Sequence, residues 1–247
     1  MQRHIESSTG WHVDSPGRLD RRAKGDGLDE QAIGDLTERY RKVYSGAVAD
    51  VLDKRGYRNQ IVDGSIQGLT FDARVAGPAY TCKGAPATDL EPDDWDMRKE
   101  FLDSVTPGTV VVVDTSGDTA AAHWGELMST AARGRGATGV VIDGATRDVT
   151  QMLAMSFPAF VRYRSPASSI RRWRISGYDH PVTIGGVVVR PGDFVVGDAD
   201  GVVIVPVELA LEVLEEVESL TVAETNMRQE LLGGGTFSEV YDRYQVG

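Results

Sequence analysis

The sequence predicts a mixed α/β domain, and three observations carry that prediction. A β-branched run, Thr109 to Asp114, is followed by a helical stretch over Gly125 to Arg133 and a second apolar run, Gly139 to Asp143. Strand, helix, strand in that order makes a right-handed βαβ unit. The final third reads instead as short strands, separated by the hairpin signals Gly185-Gly186, Pro191-Gly192 and Asp200-Gly201. A long amphipathic helix, Val207 to Leu232, then runs into Gly233-Gly234-Gly235.

Residues 1 to 28 are polar and glycine-punctuated, with the basic run Arg21-Arg22-Ala23-Lys24. They are expected to be a loosely ordered extension of one domain over residues 29–247. From Leu28 to Arg55, Ile33, Leu36, Tyr40, Val43, Val48, Val51 and Leu52 recur at helical spacing, giving one or two helices that end at Gly56. Arg74 to Cys82 is strand-like, with Gly77-Pro78 inside it. Leu90 to Val105 is acidic and helical in its second half, and Pro107-Gly108 makes a turn. The unbroken apolar runs at 109–114 and 139–143 lack alternation, as expected for strands buried on both faces. A short helix follows Asp148, and Pro158 to Val161 is a further strand. Val182 to Val189, Asp193 to Val196 and Val202 to Val205 supply the hairpin strands.

Composition narrows the function. Among 247 residues, 26 are Lys or Arg and 37 are Asp or Glu, a formal net charge of −11. General nucleic-acid binding needs a basic footprint and is excluded on that ground. No apolar run approaches the ~20 residues of a membrane span. Met1 to Asp20 contains no signal-like apolar stretch, so a cytoplasmic location is expected. Cys82 is the only cysteine, and the histidines are scattered at 4, 12, 123 and 180. A disulfide framework and a cysteine-rich zinc site are therefore out, and any metal is expected to be a hard ion held by oxygen. Gly134-Arg135-Gly136-Ala137-Thr138-Gly139 matches a dinucleotide fingerprint, but it follows a helix and precedes a strand. The fingerprint needs the opposite context, so the match is a helix stop and a turn.

The informative residues lie in two loops. One runs from Asp114 through Asp118 to His123-Trp124-Gly125-Glu126-Leu127-Met128, and the other is Gly144-Ala145-Thr146-Arg147-Asp148. Both follow strands of the βαβ unit, where open α/β sheets place ligands. Glu126, Arg147 and Asp148 converge there. Asp148 is a hard oxygen ligand suited to Mg²⁺, which takes one or two carboxylates and keeps its waters. Arg147 is suited to a substrate carboxylate or a developing oxyanion. Glu126 opens a helix, so the free N–H groups of Leu127 and Met128 can cradle an anion, while its side chain can order a water. The bland alternative is a helix cap and a surface ion pair.

These residues resemble the RraA-like family, which includes the metal-dependent 4-hydroxy-4-methyl-2-oxoglutarate/4-carboxy-4-hydroxy-2-oxoadipate aldolases. These class II pyruvate aldolases carry an acidic residue, twenty intervening residues and Arg-Asp; here these are Glu126 and Arg147-Asp148. Gly185 to Asp193 and Gly197 to Val203 are similar to further family motifs, and the resemblance runs from about Leu36 to the C-terminus. It implies a swivelling β/β/α domain, a homotrimer or hexamer with interfacial sites, and a small 2-oxo acid substrate. By the same resemblance Asp148 holds Mg²⁺ or Mn²⁺, Arg147 contacts the pyruvyl part, and the Leu127 and Met128 amides hold its carboxylate. A glutamate from a neighbour's C-terminal helix orders the catalytic water, with Glu224 as the best match and Glu230 second. The implied activity is retro-aldol cleavage with oxaloacetate decarboxylation beside it. The alternative is a protein-binding regulator similar to the RNase E inhibitors of the family. Those are expected to lack a carboxylate at Glu126, which favours the enzyme. The aldolases themselves have Asp there, one methylene shorter.

Three further groups stand out. His123 is either a proton donor or a loop-bonding residue, and Asp114 and Asp118 are either supporting acids or turn formers. Arg162, Arg164, Arg171, Arg172 and Arg174 are expected to form an intersubunit ion-pair network with Asp89, Glu91, Asp93, Asp94 and Asp96, in preference to a distal carboxylate site. Lys24, Lys42, Lys54, Lys83 and Lys99 all lie outside the two loops, so a Schiff-base mechanism is not expected.

Overall fold

The computed structural model describes residues 30–87 and 95–245. The N-terminal extension and the acidic residues Asp89, Glu91, Asp93 and Asp94 lie outside them. Two helices open the described chain, α1 (Glu30–Tyr40) and α2 (Ser45–Lys54), followed by β1 (Gln67–Gly68) and β2 (Val75–Pro86). Then come α3 (Trp95–Asp103), β3 (Val110–Asp114), β4 (Ala122–Trp124), α4 (Glu126–Gly134), β5 (Gly139–Thr146), α5 (Val149–Ala154) and β6 (Ala159–Arg164). The last part holds β7 (Trp173–Tyr178), β8 (Val182–Ile184), β9 (Val187–Val189), β10 (Phe194–Asp198), β11 (Gly201–Val205), α6 (Ala210–Leu232) and α7 (Phe237–Tyr244). The expected mixed α/β class is what forms. The start of the long helix differs, because Val207–Leu209 is a 3₁₀ turn after Pro206, and α6 begins at Ala210.

Among the described residues, the main sheet runs β1-β6-β5-β3-β2-β10-β11. Strands β2, β3, β5 and β6 are mutually parallel, and β10 and β11 add antiparallel partners. The sheet curls back on itself through residues 60–62, where Val62 N–H donates to Val202 O at 2.9 Å and Ile204 N–H to Gln60 O at 2.9 Å. Five residues on, β1 pairs with β6, so the ends of the sheet nearly meet as a barrel.

Pleating then explains the valine runs. Val110 and Val112 of β3 point into the barrel, with Val141, Phe160, Val195 and Ile204. Val111 and Val113 point outward, with Phe101 of α3, Ala132 of α4 and Met152 of α5. Both faces of β3 are covered, so nothing selects polar residues at alternate positions. The β8–β9 hairpin adds Val182, Ile184, Val187 and Val189 to the interior. Another sector of the outer surface carries α1, α2 and α6, packed on β10 and β11 through Tyr40, Val48, Phe194, Val205, Val213 and Val217. No described helix is long and apolar enough to cross a membrane.

Candidate active site

Strand β4 has three residues; Ala122 bridges Ser168, and the strand pairs with the far end of β5, beyond a bulge between Ile142 and Ala145. That pairing brings the two loops together. Trp124 O accepts from Arg147 N–H at 3.0 Å and from Thr146 Oγ1 at 3.1 Å. Trp124 Nε1 donates to Ser129 Oγ at 2.8 Å, which in turn bonds Gly125 O at 3.1 Å. The start of α4 is thus tied to the end of β5 through buried groups.

Glu126 is the first residue of α4, behind Gly125 as N-cap, and no side chain caps that turn. The N–H groups of the first turn are free by helix geometry and face an anion's natural site. Leu127 is exposed, while Met128 packs partly against the outer core. Glu126 is half-buried and its Oε1 accepts from Thr130 Oγ1 at 2.8 Å. Asp148 is the N-cap of α5 in the left-handed region, at φ 56°, and its Oδ2 lies 3.4 Å from Arg147 Nε. Both side chains are 41% exposed, so the crevice is an open shelf in a single chain.

Gly125 is the hinge of this geometry. A Cβ there would lie 2.7 Å from Asp148 Oδ2 and 3.3 Å from Arg147 Cγ. The glycine lets helix α4 approach both functional side chains. Gly125→Ala is expected to keep the fold, since its φ of −163° suits any residue and the closest atom, Asp148 Oδ2, ends a flexible side chain. It should displace Asp148, and the check is divalent-ion affinity against the thermal midpoint. Unaltered affinity would show that the contact does not set the carboxylate.

The donors suit a hard divalent ion. Asp148 offers an accessible carboxylate beside the space that Gly125 leaves, with the Glu126 carboxylate at the next residue. No cluster of three or more His, Cys, Asp or Glu occurs among the described residues. Closed tetrahedral zinc sites need more ligands than this, whereas Mg²⁺ or Mn²⁺ is compatible with few carboxylates and retained waters.

The other expected residues fall elsewhere. Glu224 and Glu230 sit on α6, in the sector packed on α1, α2 and α7. Glu224 accepts from Tyr44 Oη, and Glu230 is held by Tyr244 Oη at 2.6 Å and by Arg243. Tyr44's hydroxyl has its pKa raised, first by burial and then by the Glu224 carboxylate. His123 is 1% exposed and bonds loop groups, so the loop-bonding expectation holds. Asp114 accepts from Ser116 N–H at 2.8 Å and Asp118 from Ala120 N–H at 3.2 Å, as turn formers do. Arg162 turns to Asp143, Asp63 and Ser65 in its own chain. Arg172 donates to Ser168 O at 3.0 Å, Arg171 and Arg174 are exposed, and Asp96 pairs with Lys99 at 3.1 Å. Sequence reasoning assigned Gly125 no role, although a glycine directly before the helix acid was its signal; Tyr44 had none.

Known proteins share this architecture. A protein of Halalkalibacterium halodurans named "Putative 4-hydroxy-4-methyl-2-oxoglutarate aldolase" is 35% identical over 176 residues, covering 71% of this chain and 79% of that one. The crystal structure of an uncharacterized Pseudomonas syringae protein superposes with a TM-score of 0.74 at 26% identity, covering 84% of this chain and 96% of that one. Streptomyces coelicolor RraAS2, described as an unusual member of the RNase ES inhibitor RraA family, gives 0.72 at 29% identity, covering 80% and 98%. The family model for RraA-like proteins, described as Aldolase/RraA, matches residues 45–204, which span the barrel and both loops. The chain belongs to the RraA-like family.

Proposed function

We propose that this chain is a divalent-metal-dependent lyase that cleaves a 4-hydroxy-2-oxo acid to pyruvate and a carbonyl product. Oxaloacetate decarboxylation is its expected side reaction. The observation that carries the reading is the meeting of Arg147, Asp148 and the uncapped first turn of α4 across Gly125. The aldolase name of the Halalkalibacterium halodurans relative supports it.

Asp148 would hold the ion, which when bound would supply Lewis-acid polarisation of the 2-oxo acid. The N–H groups of Leu127 and Met128 hold the substrate carboxylate at the positive end of α4. Glu126 orders the water that accepts the proton of the 4-hydroxyl. As that proton leaves, the C3–C4 bond breaks and its electron pair moves towards the keto oxygen, where Arg147 stabilises the developing negative charge. Protonation at C3 then gives pyruvate. Decarboxylation of oxaloacetate develops the same charge but needs no hydroxyl proton removed. In this reading the cross-subunit acid is Glu224, or else Glu230, contributed by a second copy in a trimer or hexamer.

The test is pyruvate release from a panel of 4-hydroxy-2-oxo acids with Mg²⁺ or Mn²⁺ and with EDTA. Activity that EDTA abolishes is expected. Glu126→Gln should slow cleavage far more than decarboxylation, and Glu126→Asp should retain activity. Equal losses in both reactions would refute the water-ordering role. No pyruvate from any substrate, with metal in excess, would favour the protein-binding regulator.

A further inference from the structure

His123 is a titratable side chain for which the proposed reaction has no use, yet it sits under the site. It is 1% exposed, on β4, three residues before Glu126. Its Nδ1 lies 3.2 Å from the N–H of Ala145, and its Nε2 lies 2.9 Å from Asp118 Oδ2. The Ala145 amide is a donor and can bond only to an unprotonated ring nitrogen, so the ring proton resides on Nε2 and is donated to Asp118. Burial lowers the pKa of the imidazole, against the opposing pull of Asp118, which suits a neutral ring.

The groups packed around the ring leave it one position. Trp173 meets it edge-on with centroids 5.0 Å apart, and Trp173 Nε1 donates to Thr115 O at 3.1 Å. Tyr163 Oη donates to Asp118 O at 3.3 Å. A Cβ on Gly144 would lie 2.6 Å from His123 Nδ1 and 2.7 Å from Thr115 Cγ2. Gly144 lies in the β5 bulge, and Ala145 is the first residue after it, where register resumes opposite Tyr163 of β6 and Ala122 of β4, two residues before Arg147. A buried backbone amide needs an acceptor, and for Ala145, beside the bulge, His123 Nδ1 supplies one.

We propose that His123 is a positioning residue: oriented by Asp118, it pins the Ala145 amide and so fixes the β5 bulge that aims Arg147 and Asp148 into the crevice. For catalysis this rests on the aldolase reading; for the backbone it does not. The role differs from proton donation, because both ring nitrogens are committed and the ring is closed to solvent.

Two substitutions separate the bonds. Asparagine places a carbonyl oxygen at the Nδ1 position, so His123→Asn keeps an acceptor for Ala145. Glutamine reaches Asp118 but has no acceptor at that position. Amide hydrogen exchange reads the backbone directly. His123→Gln should speed exchange at Ala145 and Arg147 by about tenfold or more, the scale of losing one buried acceptor, with β3 amides unchanged. His123→Asn should restore protection. The kcat for pyruvate release should follow the same order, with KM changed less. Long-range ¹H–¹⁵N spectra of the unaltered protein should show the Nε2–H tautomer at neutral pH. An Nδ1–H or doubly protonated ring would overturn the proposal without any variant, as would equal exchange in the two variants. If the unaltered protein released no pyruvate, the aldolase reading would fail, while the exchange and tautomer results would still decide the positioning role.

Discussion

Arg147→Ala is expected to lower kcat/KM for both aldol cleavage and oxaloacetate decarboxylation by two orders of magnitude or more. That corresponds to ~3 kcal/mol of transition-state stabilisation, the scale of removing one strong oxyanion donor. The fold should survive. The Arg147 side chain is 41% exposed, and its one side-chain partner among the described residues is Asp148 at 3.4 Å, a solvent-facing pair worth ~1 kcal/mol at most. The tie to the barrel is made by the backbone, through Arg147 N–H and Trp124 O, and alanine keeps it. Excess Mg²⁺ should not restore the rate, because the lost group acts on substrate charge and not on ion affinity. Asp148→Asn is the contrasting case: the rate should fall through weaker ion binding, and excess metal should restore part of it. Metal rescue of Arg147→Ala, or loss confined to one reaction, would move Arg147 out of the oxyanion role.

What could be read from the sequence divides along a physical line. Strands β3 and β5 were legible because burial on both faces leaves an unbroken apolar run, and the hairpins because tight turns demand Gly-Gly, Pro-Gly or Asp-Gly. Arg147, Asp148 and Glu126 could be singled out because their loops follow parallel strands and their spacing matches the family motif. Strand β4 was not, since three residues carry no periodicity and its partners are the end of β5 beyond a bulge and Ser168. Strand β7 did carry a signal: Trp173, Ile175 and Gly177 are buried while Arg172, Arg174 and Ser176 are exposed. The arginine count masked that alternation. Helix α7 is announced by Thr236 and Glu239 at capping-box spacing; Thr236 Oγ1 accepts from Glu239 N–H at 3.4 Å and donates to Glu239 Oε2 at 2.8 Å. For His123 the bonding role was the expected one, but its partners Asp118 and Ala145 were not legible, because no spacing rule encodes those distances.

The largest stability loss should come from Trp173→Ala. The indole is completely buried in the cluster between the barrel and α3, α4 and α5. Its ring faces Gly84 of β2, where a Cβ would lie 2.0 Å from Trp173 Cζ2, so the strand pair closes with no space to spare. Truncating a buried Trp or Phe to alanine costs about 3–5 kcal/mol, partly from transfer and partly from the cavity left behind. In a chain of this length that is on the order of 10 °C in the thermal midpoint. Midpoints should be compared at one protein concentration, since assembly would shift them by mass action. Trp173→Phe separates the contributions. It keeps most of the volume and loses the bond from Nε1 to Thr115 O, so it should cost about 1–3 kcal/mol, the range for an orphaned buried acceptor. Because the indole also meets His123 in a T-shaped contact, Trp173→Phe should loosen the Ala145 amide before it unfolds the barrel. A loss below ~1 kcal/mol for Trp173→Ala would mean that the neighbouring side chains collapse into the space, and that Trp173 does not hold β7 and His123 in place.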